Sequence, residues 1–245
     1  MAKGYGHFCP VAMAAEIVGP RWNLSLLSEM MAGSVRFNEI RRGVPRMSPT
    51  LLSKRLKELQ DWGLVERREG KGGAIEYHLT PPAEELRPII HALGCWSHGW
   101  VKTSVTLQNL DAQMLMWHVR RSLVPSPPPR RRTVVQFIYP ELPKKERNFW
   151  LVLMPDEDVD LCSIDPGFDV DLFVSADLLA MTKAYMGHST FAAEAGAGRI
   201  TFTGDPRLRA NLTKWLGQSS FAAAAPRGKE PRTGRVQSIA RHASI

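Results

Sequence analysis

Pro49, Thr50, Ser53, Lys54 and Lys57 stand at i, i+1, i+4, i+5 and i+8 of one segment, with Leu51, Leu52, Leu56 and Leu59 between them. At about 3.6 residues per turn, that spacing puts hydroxyls and ammonium groups on one side of a helix and leucines on the other. Ser and Thr hydroxyls donate or accept hydrogen bonds at base edges in a major groove, and Lys reaches guanine acceptors or phosphate. Ser48 is a natural N-cap, with Pro49 at the first helical position. Such a helix start directs free N–H groups and a positive dipole toward phosphate. This is the chemistry of reading a duplex, not of making bonds. Basic side chains flank the segment: Arg36, Arg41, Arg42 and Arg46 before it, Arg67, Arg68 and Lys71 after it. The candidate DNA contacts are Arg36, Arg46, Ser48, Pro49, Thr50, Ser53, Lys54, Lys57, Arg67, Arg68 and Lys71. Each feature alone also fits a capped amphipathic helix beside a charged hairpin without a partner. Their order and close spacing favour a helix-turn-helix.

No Ser/His/Asp, Cys/His or metal-ligand constellation stands out, so neither a catalytic centre nor a cofactor is expected. Asp165, Asp169 and Asp171 could suggest a metal site, but they read better as turn and edge residues. Cys9, Cys95 and Cys162 are odd in number and far apart, which suits neither a disulfide framework nor a zinc site. A thiol at a helix start can be activated toward oxidants, so Cys9 reads either as a redox sensor or as inert packing.

The elements that must position the reading helix follow from periodicity. Residues 9–18 begin a helix with Pro10, and Gly19-Pro20 breaks it. A second helix spans 22–31, with Trp22, Leu26, Leu27 and Met30 on one face and Gly33 as its stop. A short helix over 36–42 turns Phe37 and Ile40 inward. The reading helix covers 48–62 and ends at Gly63. Then the period changes. Residues 64–68 form a strand, Gly70-Lys71-Gly72-Gly73 a turn, and Ile75, Tyr77 and Leu79 alternate in a second strand. This basic hairpin has the form of a wing. Thr80-Pro81 opens a further helix with the apolar stripe Leu86, Ile89, Ile90, Leu93, Trp96 and Trp100, which packs either in the core or against a second copy. A short helix is expected around 111–121.

Charge and punctuation divide the chain. Residues 1–102 carry 14 Lys+Arg against 10 Asp+Glu and residues 103–132 carry 5 against 1, whereas residues 133–225 carry 8 against 12. A basic front suits a polyanion. The run Pro125-Ser126-Pro127-Pro128-Pro129 favours an extended, semi-rigid spacer. The expected organisation is a winged helix and dimerisation domain at 1–122, a linker at 123–132, a second domain at 133–223 and a disordered tail at 224–245. The second domain should hold strands at 133–139, 149–154, 159–164, 170–174 and 199–203, with helices at 175–186, 189–195 and 205–215. That pattern is α+β. No apolar run approaches the ~18 residues of a membrane span and no signal peptide is visible, so a cytoplasmic protein is expected.

Specific motifs carry a resemblance. Cys9-Pro10-Val11, Arg21-Trp22, Arg36-Phe37-Asn38-Glu39-Ile40, Met47-Ser48-Pro49-Thr50-Leu51-Leu52-Ser53-Lys54, Gly63-Leu64-Val65-Glu66-Arg67 and Glu76-Tyr77-His78-Leu79-Thr80 resemble the HxlR-type winged-helix regulators of prokaryotes. The likeness covers 8–100. It implies a homodimer on a two-fold-related operator, a recognition helix at 48–62, a wing at 67–77 and pairing through the stripe at 86–100. Gly72-Gly73-Ala74 departs from the family, which often has prolines and an arginine at the wing tip. Motifs after the linker, among them Phe149-Trp150-Leu151-Val152, Asp165-Pro166-Gly167 and Gly204-Asp205-Pro206, resemble sterol-carrier-protein-type domains. That likeness implies an apolar tunnel for a hydrophobic small molecule. The combined reading is a DNA-binding regulator with a ligand-sensing second domain. The alternatives are a lipid or acyl carrier localised by a basic module, and a redox-sensing regulator acting through Cys9.

Overall fold

The computed structural model describes residues 8–101, 107–155 and 158–224. The expected disordered tail lies outside them from residue 225 on. Four helices open the chain: α1 (Pro10–Val18), α2 (Asn23–Met31), α3 (Phe37–Gly43) and α4 (Pro49–Asp61). The hairpin β1 (Val65–Glu69) and β2 (Ile75–Leu79) is antiparallel, with Val65 opposite Leu79 and Glu69 opposite Ile75. Then come α5 (Pro81–Glu84), α6 (Arg87–Trp100) and α7 (Ala112–Ser122). The first core gathers Leu26 and Leu27 of α2, Ile40 of α3, and Leu52, Leu56 and Leu59 of α4, all essentially inaccessible to solvent.

The second half is α+β. Strands β3 (Thr133–Ile138), β4 (Asn148–Leu153), β5 (Asp160–Cys162), β6 (Leu172–Ala176) and β7 (Ile200–Gly204) lie in the order β5-β4-β3-β6-β7. The β3–β6 pair is parallel and the others antiparallel. Helices α8 (Leu178–Tyr185), α9 (Phe191–Gly196) and α10 (Pro206–Trp215) follow. Asp177, Thr190 and Asp205 cap them by accepting backbone N–H bonds, which satisfies donors that a helix start leaves orphaned. Alternate residues of the strands turn to one face: Val135 and Phe137 of β3, Phe149, Leu151 and Leu153 of β4, Leu172 and Val174 of β6. Among the described residues, no helix is long and apolar enough to cross a membrane.

Two expectations change here. The expected boundary at 122 puts helix α7 in the first domain, yet Leu115, Met116, Trp117 and Val119 are buried in the second core. The boundary therefore falls before Ala112. The proline segment is no free spacer along its whole length. Leu123 is buried, the Val124 N–H donates to the Trp215 carbonyl, and the Trp215 indole N–H donates to the Ser126 carbonyl.

Candidate nucleic-acid interface

Helix α4 presents its two faces as its spacing predicts. Leu52, Leu56 and Leu59 are buried, whereas Pro49, Thr50, Ser53, Lys54 and Lys57 are all exposed. At ~100° per residue those five side chains span an arc of about 140°. The Ser48 hydroxyl accepts from the Leu51 N–H at 3.3 Å and closes the helix start. Lys57 Nζ meets Asp61 Oδ1 at 2.7 Å, one turn on. Before α4, Val44 and Met47 are buried, so the turn from α3 is fixed from both ends.

The flanking cations divide into exposed and engaged groups. Arg36 precedes α3, where the Glu39 carboxylate accepts from the Val35 and Arg36 backbone N–H groups at 3.2 and 3.1 Å. Its guanidinium also lies 3.7 Å from Glu76 of β2, which ties the short helix to the hairpin. Arg67, Arg68 and Lys71 are exposed on the hairpin, and Arg68 pairs with Glu66. The hairpin tip is a single 3-10 turn, Lys71–Gly73, with Gly72 and Gly73 at φ 75° and 76°. Only glycine adopts such angles freely, and Lys71 supplies the cation there. Arg46 departs from expectation. It is exposed, but its Nε lies 4.0 Å from Asp111 Oδ2 at the start of α7, so a carboxylate competes with phosphate for it.

The exposed stripe of α6 also divides. Ile89, Leu93, Trp96 and Trp100 are exposed, Trp96 to 61%. Ile90 is buried and Leu86 half-buried against the first core, so these two are core residues and not part of the expected seam. A helix apolar on more than one face cannot itself specify which positions turn inward. Helix α1 has no buried residue; Val11 and Met13 on it, and Phe8 just before it, are exposed.

A constellation that sequence reasoning missed joins the halves. Glu29 of α2 is buried, and its carboxylate receives Arg121 of α7 in a two-pronged ion pair. The Trp117 indole N–H donates to it at 2.9 Å and the Ser34 hydroxyl at 2.6 Å. Gly43 backs this carboxylate so closely that any β-carbon there would collide with it. The Arg42 guanidinium lies over the Trp117 ring at 5.4 Å, from the DNA-binding side. The missed signal was a charged residue, Glu29, inside the apolar run from Leu26 to Met30. Such a residue is buried only with a partner. Nearby, burial pushes the His118 pKa down, an effect partly offset by Glu29 and reinforced by Arg121.

Cys9 is exposed at the N-cap of α1, and Cys9, Cys95 and Cys162 are all free thiols. Asp171 is no metal ligand here: its carboxylate pairs with Arg131 and accepts the Val134 N–H at 2.8 Å. The Asp165 carboxylate accepts the Gly167 N–H, as a turn residue does. Among the described residues, no group of three or more His, Cys, Asp or Glu side chains is placed to hold a metal ion. In the second core, Phe137, Tyr139, Met116, Leu151 and Leu153 are fully buried. One open hollow of about 720 Å³ sits beside Leu142, Ala176 and Leu178, and a cleft of about 570 Å³ runs between the halves.

Residues 17–105 match the HxlR-like helix-turn-helix family. YvaP of Bacillus subtilis, named as an HTH-type transcriptional regulator, is 35% identical over 99 residues, spanning 39% of this chain and 92% of that protein. The chain belongs to the HxlR-like helix-turn-helix family. This HxlR-like chain is thus a DNA-binding transcriptional regulator, with a winged helix-turn-helix as its first half. YodB of Bacillus subtilis, also named as an HTH-type transcriptional regulator, is 32% identical over 92 residues, 36% of the HxlR-like chain and 82% of its own. A solved structure titled as the redox regulator HypR in its oxidized form is 31% identical, covering 39% of this chain and all of that one, with a TM-score of 0.37. The family match ends at residue 105, before the second half begins.

Proposed function

We propose that this regulator binds a two-fold-related operator as a homodimer. In this reading α4 lies in the major groove, the β1–β2 hairpin rests on adjacent phosphate, and α6 pairs with its mate through Ile89, Leu93, Trp96 and Trp100. The observation that carries it is the exposure of Pro49, Thr50, Ser53, Lys54 and Lys57 together on one face of α4, opposite a face whose Leu52, Leu56 and Leu59 are buried. The second half, whose sequence pattern and helix-backed sheet suit a sterol-carrier-like domain, serves as the sensor of a small molecule in this reading. A gel shift on the DNA upstream of the protein's own gene tests the assignment. Sequence-specific binding that weakens in Lys54→Ala supports it. Weak, salt-labile binding indifferent to sequence would favour a carrier protein instead.

A redox-sensing mode is the second reading, favoured by the exposed Cys9 thiol at the start of α1. If oxidant releases DNA from the wild type but not from Cys9→Ser, the thiol is the sensor. Equal release from both removes this mode.

A further inference from the structure

We propose that the cleft between the two halves is a binding site for a small organic monoanion, a carboxylate carried on an apolar body. The proposal rests on reading the chain as a DNA-binding regulator only for its regulatory consequence, not for the site itself. The cleft, about 570 Å³, has the size of a small-molecule pocket and lies at a domain junction, where such pockets concentrate. The DNA-binding half contributes Ser34 and Glu39. The second half contributes Arg120 and Arg121 of α7, with Met154 and Val159 from the end of β4 and the approach to β5.

Arg120 gives the cleft its polarity. Its guanidinium lies over the Trp117 ring at 4.2 Å, and its Nη1 donates to the Val159 carbonyl at 3.0 Å. Its Nε is shielded from solvent and has no hydrogen-bond partner among the described residues. Arg121 beside it is already neutralised by Glu29, so the two guanidinium groups differ in kind. Burial, and then the charge of Arg121, press the Arg120 pKa down, and Asp160, Asp158 and Glu39 offset only part of this. A half-buried, incompletely paired guanidinium is costly, and a carboxylate matches its fork of donors.

The remaining lining sets the rest of the ligand. Pro125, Pro128, Pro129, Met154 and Val159 form an apolar wall for a hydrocarbon or aryl body. Glu39 and Asp158 line the same cleft, and their charge disfavours a second anionic group. Inorganic phosphate, a mixture of mono- and dianion near neutrality, has no apolar part to pack on that wall and on average carries more charge toward Glu39 and Asp158 than a monocarboxylate does. Because Ser34 and Glu39 belong to one half and Arg120 to the other, an occupant changes the contact between them. A ligand that prefers one relative placement of the halves shifts the population that binds DNA.

The test uses the full chain. Benzoate and octanoate are titrated by calorimetry and thermal shift, beside benzamide and phosphate at matched ionic strength. The expected result is saturable binding of a carboxylate, none of benzamide or phosphate, and affinity about tenfold weaker or worse in Arg120→Gln. Benzamide binding as well as benzoate, no carboxylate binding up to about 20 mM, or full affinity in a folded Arg120→Gln each overturns the site. Arg120→Gln that fails to fold leaves the wild-type comparison of benzoate with benzamide to decide. Operator affinity is then measured with and without the bound carboxylate. A change supports the coupling. Binding with unchanged operator affinity sustains the site and overturns its regulatory role.

Discussion

Glu29→Gln would leave Arg121, its side chain only 15% exposed, without its counter-charge at the joint between the two cores. Removing one partner of a buried ion pair costs about 3–5 kcal/mol, whereas replacing both partners by neutral groups is often close to neutral. The Gln amide oxygen can still accept from Trp117, which places the expected loss near the lower end, about 3 kcal/mol. For a chain of this size each kcal/mol lowers Tm by roughly 2–4 °C, so a fall of about 6–12 °C is expected if the halves unfold together. Glu29 belongs to α2 and Arg121 to α7, so the loss falls on the contact between halves. Scanning calorimetry should therefore show a single transition shifted downward, which keeps the two-state comparison of the variants valid. Arg121→Met, and the double variant with Glu29→Gln, complete a double-mutant cycle. The double variant should lose less than the sum of the singles by about 2 kcal/mol. A cost below about 1 kcal/mol for Glu29→Gln, with strict additivity in the double variant, would refute the claim that this ion pair joins the halves.

Lys54→Ala should reduce operator affinity and lower the salt dependence of binding by about one phosphate contact, with stability changed by less than about 0.5 kcal/mol. Lys57→Ala should do less, because Asp61 already engages its ammonium group; electrophoretic titrations at several salt concentrations separate the two. Trp96→Asp places a charge on a residue already exposed in the single chain, so, if α6 is the proposed dimer seam, sedimentation should find the variant a folded monomer. A dimer unaffected by it would move the seam off α6. Burial holds the His118 pKa below its ordinary value of 6.5. The imidazole is neutral in both states above that pH, so its contribution is full there. As pH falls below 6.5 the unfolded chain takes up a proton that the folded chain refuses, and stability drops by at most about 1.4 kcal/mol per pH unit until the folded pKa is reached. Denaturation between pH 7.5 and 5 should show a shallower loss in His118→Phe, and parallel curves would exclude this cause.

The reading helix was legible because several local signals agree. Ser48 and Pro49 mark its start, the leucines repeat at helical spacing, and Gly63, at φ 68°, follows its end. The hairpin was legible for the same reason, since strand period and glycine turn lie within 15 residues and need no distant partner. The five strands of the second half were placed to within a few residues, because alternation and β-branched runs are also local. Their order was not, since the parallel pairing of β3 with β6 joins segments separated by two other strands.

What the sequence by itself determined is therefore the local grammar: the face that α4 offers, the cap that starts it, the hairpin beside it and the membership in a DNA-binding family that those motifs carry. Tertiary structure alone decided where two amphipathic helices spend their apolar faces. It turned Ile90 inward while leaving Ile89 and Trp96 outside, and it gave α7 to the second core rather than the first. It also brought Glu29 to Arg121 across more than ninety residues of sequence. Hydrophobic burial has no direction and carries no address, so periodicity reveals that a face will be covered without naming the cover. A buried carboxylate shows only that a partner must exist, and the fold supplied Arg121, opening the Arg120 cleft beside the same joint.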